Sequence, residues 1–328
     1  MIPHADSLEP RLYALSDSLE LGKATAREAG IELSALEEQT FESGEFKIRP
    51  LTTVRDRPAY ALQTLAGSPT RPIADSFLRL LFLLNCLRDA GASHCIAVIP
   101  YLAYAREDRR TEPRDPINTR YVAQLLEASG AARVIVLDVH NSGALDNAFR
   151  IEVDHLTAIP MLADHVATRF ETADMVVVSP DVGGIPRSRL FHQVLEERLN
   201  RPVKIAFVEK RRTSAAVCTG RFAGEAAGRQ AVIVDDICAT GATLIHAAER
   251  CREAGATDVH VAVTHTPSPA GLKAVLACSA VSGVVATDSA GMKLDLTPAE
   301  QGKLRTLPVA PLFAQAIGRV DDLYFSGA

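Results

Sequence analysis

The chain has 328 residues, a formal net charge of −5 and 47% hydrophobic residues, with charges of both signs interspersed. That length buries a sizeable core and suits two domains, while the mild acidity excludes a generic nucleic-acid or membrane-surface binder. No apolar run is long enough to span a bilayer, and the first ten residues carry acids instead of a signal-type apolar core.

In chain order, short branched-apolar runs alternate with longer helical patterns. Strands are expected at 59–65, 95–100, 133–138, 175–179, 204–208, 231–235, 259–264 and 284–287. Helices are expected at 73–90, 119–129, 161–170, 187–199 and 242–254. Alternation of this kind, with strands apolar throughout, predicts an α/β fold of mainly parallel sheets flanked by helices. The pattern occurs twice, so domains are expected at 1–155 and 156–311. The stretch 312–328 carries aromatic and aliphatic residues that need a surface, and it is expected to pack on the N-terminal domain. The six cysteines, Cys86, Cys95, Cys218, Cys238, Cys251 and Cys278, form no CxxC pair and no zinc spacing. Most sit among apolar neighbours, which points to buried thiols in a reducing cytoplasm.

Open α/β sheets collect ligands outside the carboxyl ends of their strands. Five strand ends here carry polar chemistry. The second is followed by Arg106, Glu107, Asp108 and Arg109, and the third by Asp138-Val139-His140-Asn141. The fourth leads to Asp181, Gly183 and Gly184, and the fifth to a basic turn, Glu209-Lys210-Arg211-Arg212. The sixth ends in Asp235 and Asp236, then Thr240, Gly241 and Thr243 before a helix. Two adjacent acids at a strand end can accept hydrogen bonds from sugar hydroxyls. The turn beyond them offers backbone N–H groups and threonine hydroxyls to a phosphate at a helix N-terminus. The same letters also suit an ordinary strand-turn-helix connection whose acids cap the helix. The two acids after three branched apolar residues favour the phosphosugar reading.

Taken together, the segments IPYLAYAREDRR, DVHN, SPDVGG, EKRR and VDDICATGAT resemble those of the ribose-phosphate diphosphokinase family, over roughly 41–287 and in the family's order. The resemblance implies two phosphoribosyltransferase-like domains. It also implies Mg²⁺-dependent synthesis of phosphoribosyl diphosphate (PRPP) and AMP from ATP and ribose 5-phosphate, in homo-oligomers built from dimers, up to hexamers. Neither nucleic acid nor membrane is implied as a partner. On this footing Lys210 and Arg212 stabilise the transferred group and the leaving phosphate. Arg106, Glu107 and Arg109 lie on a mobile nucleotide loop, with Phe41 and Glu45 reaching adenine in a neighbouring subunit. His140 and Asp181 assist the metal, which takes most of its shell from phosphate and water. Gly183 and Gly184 let the backbone approach diphosphate. Asp235 and Asp236 hold the ribose hydroxyls, and Thr240, Gly241 and Thr243 the 5-phosphate.

The match departs from the family pattern at Ala239, where aspartate is usual, and at Ala242, where glycine is usual. It departs also at Ser43 and at Glu107, which replaces glutamine. Glu107 puts negative charge near a polyanion and should weaken binding unless an arginine pairs with it. Such departures keep two alternatives open, a non-catalytic nucleotide-binding regulatory paralogue and a diphosphokinase for another phosphosugar. Cys238, near a helix N-terminus, is in a position that can favour thiolate.

Overall fold

The computed structural model describes residues 9–68, 71–212, 218–291 and 294–325. They divide into two compact units. The first comprises the described residues up to Leu156, Ser289–Gly291 and those from Val309 onward; the second comprises Thr157–Asp288 and the described residues up to Pro308.

The first unit begins with β1 (Arg11–Ala14), α1 (Leu19–Ala29) and a hairpin of β2 (Leu36–Thr40) and β3 (Phe46–Pro50). There follow β4 (Pro58–Leu62), α2 (Ile73–Asp89), β5 (His94–Ile99), α3 (Asn118–Ala128), β6 (Ala131–Leu137), α4 (Ser142–Ala148) and β7 (Glu152–Leu156). Five strands form one sheet in the order β1-β4-β5-β6-β7, every pair parallel. Parallel neighbours require a crossover, which α2 and α3 supply. All five β4 residues are buried, as expected of a strand covered on both faces. Helix α2 buries Leu80, Leu83, Leu84 and Leu87, whose spacing makes one apolar stripe. Its Arg79 is buried too, yet compensated: Nε donates to Asp75 at 2.9 Å and the guanidinium covers the Phe46 ring at 4.2 Å. The chain returns to this unit at its end. Thr64 Oγ1 donates to the Ser289 carbonyl at 2.7 Å, α10 (Ala310–Phe325) packs along α1, and Phe313 is fully buried.

The second unit contains α5 (Ile159–Arg169), β8 (Met175–Ser179), α6 (Ile185–Leu199), β9 (Lys204–Arg212), β10 (Cys218–Ala223) and β11 (Gln230–Ile237). It continues with α7 (Ala242–Glu253), β12 (Asp258–His265), α8 (Pro269–Ala277), β13 (Gly283–Thr287), α9 (Pro298–Lys303) and β14 (Leu304–Leu307). Its sheet runs β10-β9-β8-β11-β12-β13-β14 and is parallel except for β10. The order reverses at β8. From there the chain builds outward through β9 and then restarts on the other side with β11. Such a switch point opens a crevice beyond the carboxyl ends of the two central strands.

Candidate active site

Three neighbouring strands, β9, β8 and β11, bring the predicted sugar-phosphate and diphosphate residues to one edge of the second unit's sheet. At the end of β8, Ser179 Oγ donates to the Asp181 carbonyl at 2.7 Å, and Asp181 Oδ1 accepts the Gly184 N–H at 3.0 Å. The turn leaves no room for a side chain. A Cβ on Gly184 would stand 2.9 Å from Ser179 Oγ. Gly184 is also the N-cap of α6, and no side chain caps that helix.

At the end of β11, the turn 238–241 leads into α7, whose N-cap is Gly241 with φ of 79° and again no side-chain cap. A Cβ on Gly241 would meet the Gly271 carbonyl oxygen at 2.6 Å, so both conformation and space demand glycine. Thr240 is exposed and Thr243 half-buried. Two adjacent strands therefore each deliver a helix N-terminus at the same sheet edge, and aligned peptide dipoles there favour phosphate. Ala242 is exposed, so its methyl does not fill the interior of the turn.

Asp235 and Asp236 point their charge at one guanidinium. Arg187 Nη1 lies 3.1 Å from Asp235 Oδ1 and 3.2 Å from Asp236 Oδ1. Burial first, and then the Asp236 charge, push the Asp235 carboxyl well above the usual carboxylate range; Arg187 offsets this only in part. Arg187 escaped the sequence reading. Its signal is a cation in the first turn of α6, where the helix dipole disfavours one unless an anion is near.

The basic segment corrects one expectation. Glu209 to Arg212 are strand, not a turn after it: β9 pairs with β8 only as far as Phe207, and beyond that with β10 alone. The antiparallel partner lets the polar tail of β9 stay extended past the parallel sheet. The side chains of Lys210 and Arg212 lie outside the described residues.

Cys238 requires a second correction. It is buried to 1% exposure, and desolvation followed by the Asp235 charge pushes its thiol up to about 12. Burial outweighs the helix N-terminus, and the thiolate reading falls. Gly271 is another residue the sequence reading passed over. A Cβ there would stand 1.9 Å from the Ala239 carbonyl oxygen, so its bareness seats the 238–241 turn on α8.

In the first unit, adjacent strands β5 and β6 carry the nucleotide-loop and histidine segments at their carboxyl ends. Asn141 joins them: its Oδ1 caps α4 by accepting the Ala144 N–H, and its Nδ2 donates to Asp108 at 2.6 Å. Arg106, Glu107, Arg109 and His140 are all exposed. The Glu107 carbonyl accepts from Thr119 at the start of α3, but among the described residues no cation approaches its carboxylate within 4.0 Å. Asp138, with φ of 37°, marks a strained corner beneath His140. His155 on β7 holds that corner by accepting the Val139 N–H at Nε2, 2.9 Å away. Desolvation lowers its pKa, which keeps Nε2 an acceptor. Phe41 to Glu45 form the β2–β3 hairpin loop. Phe41 is 44% exposed, and Ser43 Oγ donates to the Glu45 carboxylate at 2.9 Å, so Ser43 orients the acid.

Among the described residues no three His, Cys, Asp or Glu side chains group as a metal cage. A separate cavity of about 350 Å³ in the second unit is lined by His165, Arg169, His260 and Arg305. It sits by residues near the amino ends of β12, β13 and β14 and contains none of the predicted site residues.

Comparison with known proteins adds lineage to this geometry. Residues 11–130 match the N-terminal domain of ribose phosphate pyrophosphokinase, and residues 152–282 match the phosphoribosyl transferase domain. A ribose-phosphate pyrophosphokinase of Bacillus caldolyticus is 35% identical over 316 residues, covering 95% of each chain. One from Caldanaerobacter subterraneus is 34% identical over 315 residues, again covering 95% of each. The crystal structure of phosphoribosylpyrophosphate synthetase from Mycobacterium smegmatis superposes with a TM-score of 0.84 at 29% identity. That alignment covers 98% of this chain and 100% of the other.

Proposed function

The chain belongs to the ribose-phosphate pyrophosphokinase family, a family of transferases, and on that footing we propose that it makes PRPP and AMP from ATP and ribose 5-phosphate. The anomeric hydroxyl attacks the β-phosphorus, the bond from the β-phosphorus to the AMP oxygen breaks, and the diphosphoryl group moves as one unit. The observation that carries the reading is the shared edge of β9, β8 and β11, with two helix N-termini whose N-caps are glycines and a paired diacid side by side.

Phosphoryl transfer asks a protein for positioning and charge neutralisation. The α7 turn, with Thr240, Gly241 and Thr243, holds the 5-phosphate; Asp235 and Asp236 accept from the ribose hydroxyls. The α6 turn, with Asp181, Gly183 and Gly184, lies along the diphosphate. Lys210 and Arg212, on the polar tail of β9, neutralise charge on the group in flight and on the departing phosphate. Arg106 and Arg109 grip the nucleotide phosphates, while Phe41 and Glu45 contact the base in a neighbouring subunit of a dimer-based homo-oligomer.

The single Asp181 carboxylate of the second unit suits Mg²⁺, which takes most of its ligands from phosphate and water, and the resemblance adds His140 of the first unit as an expected contact. When bound, the cation would supply charge neutralisation on the polyphosphate. Asp181 Oδ1 is already oriented by the Gly184 N–H, so the carboxylate needs no large rearrangement to serve.

The test is AMP release from ATP and Mg²⁺ with and without ribose 5-phosphate. Sugar-dependent release with PRPP as co-product is expected. Nucleotide binding without turnover would instead assign the chain a regulatory role, and turnover with another sugar phosphate only would change the acceptor.

A further inference from the structure

The diacid at the end of β11 presents a problem that the proposed sugar site does not by itself solve. Two carboxylates side by side repel, and both are sheltered from water: the side chains of Asp235 and Asp236 are 14% and 4% exposed. They also brace one another, for the Asp236 N–H donates to Asp235 Oδ1 at 2.9 Å. A pair that accepts two hydroxyl protons has to be splayed at the right spacing and to ionise as the sugar binds.

We infer that Arg187 is a positioning residue of the sugar site, holding the Asp235 and Asp236 carboxylates together and yielding one of its two contacts to the vicinal hydroxyls when the sugar binds. The geometry is specific. One nitrogen, Nη1, lies 3.1 Å from one acid and 3.2 Å from the other, so a single cation serves both. Its own side chain is only 14% exposed, which makes it a fixed part of the site and not a solvated surface charge. Arg187 also stands in the first turn of α6, where a positive charge works against the helix dipole. The paired acids offset that cost.

A bifurcated contact is easily exchanged. Rotation toward one acid frees the other to accept a hydroxyl, and no charge is left buried without a partner at any stage. Among the described residues, Arg187 from α6 ion-pairs with both acids and Cys238 on the same segment feels the Asp235 charge. Among them Arg187 carries the permanent positive charge. Even beside Arg187, burial and the Asp236 charge raise Asp235 to about 8; with Arg187 removed the pair holds its proton more tightly still. A protonated carboxyl donates where it should accept, so sugar affinity falls at neutral pH and recovers as the pair ionises at higher pH.

The inference rests on the proposed assignment of the diacid to the ribose hydroxyls, and the experiment separates the two. Ribose 5-phosphate binding is measured by calorimetry between pH 7 and 9 for the intact protein, Asp235→Asn, Arg187→Gln and Arg187→Lys, with thermal unfolding as a control. Arg187→Gln is expected to bind about ten-fold more weakly at pH 7, the equivalent of a one-unit pKa change, with the deficit narrowing by pH 9. Arg187→Lys, which keeps the charge, is expected to recover most of the loss. In turnover the KM for sugar should rise more than kcat falls. A deficit of equal size at every pH, unchanged affinity, or tighter binding in Arg187→Gln would overturn the role of Arg187. If Arg187→Gln does not fold, a pH-independent loss in Arg187→Lys has the same force. Wild-type affinity in Asp235→Asn would instead sink the sugar assignment itself.

Discussion

At the residue scale, the account assigns different work to charges of like sign. On the proposed assignment Lys210 acts on the reacting phosphates, so Lys210→Ala should lower kcat by roughly a hundred-fold or more, as loss of a transition-state donor does, with ATP binding changed far less. Rapid-quench turnover alongside equilibrium ATP binding distinguishes the two effects; equal losses in both would make Lys210 a simple binding group. Glu107 makes the opposite case. Its exposed carboxylate stands on the segment that carries Arg106 and Arg109, with no cation within 4.0 Å among the described residues. Glu107→Gln should therefore tighten ATP binding by a factor of about two to five, the scale of one screened surface charge. Unchanged affinity at low salt would place Glu107 away from the nucleotide. The diacid was readable in the sequence as a pair because two adjacent acids after branched apolar residues are themselves the signal. Arg187 was not, since its meaning depends on two acids 48 and 49 residues further along. His155 was hidden for the same reason: it holds the corner of another strand's loop.

At the element scale, apolar periodicity marked the buried strands well. The strand at Met175–Ser179 and the starts of α2 and α7 coincide with expectation, because each begins where branched-apolar or leucine patterning begins. Legibility failed where burial gave no pattern. The tail of β9 is Glu-Lys-Arg-Arg, and only its pairing with β10 keeps it extended. The β2–β3 hairpin and β1 are short, and α10 packs on α1, far off in the chain. The 238–241 turn, the proposed phosphate site, is seated on an element with no proposed site residue, α8. Gly271→Ala would push a methyl into the Ala239 carbonyl, and is expected to destabilise the second unit by roughly 1–3 kcal/mol, the range for overpacking. It should also raise the KM for ribose 5-phosphate more than that for ATP. A KM for ATP that rises as much as that for sugar would show that the turn is not the part displaced.

At the scale of the whole molecule, the chain is two α/β units of one type, each with polar chemistry at the carboxyl edge of its sheet, and the last helix belongs to the first unit. The second unit also carries a built-in acid sensitivity. His260, packed on Phe170 with ring centroids 4.5 Å apart, has its pKa drawn by burial from 6.5 down to about 4. As pH falls through 6.5 the unfolded chain binds the proton and the folded chain does not. Stability is thus fully present above 6.5 and declines as pH approaches 4. Urea midpoints at pH 7.5, 6 and 5 should show this decline, and His260→Gln should flatten it; an equal slope in that variant would assign the loss to other groups. The central claim, transfer of a diphosphoryl group as a unit, is tested most directly with ATP labelled at either the β or the γ phosphorus and ribose 5-phosphate as acceptor. The account predicts that both labels appear on the sugar product and that the AMP formed carries neither. Label from the γ position alone on the sugar, with ADP as co-product, would contradict it.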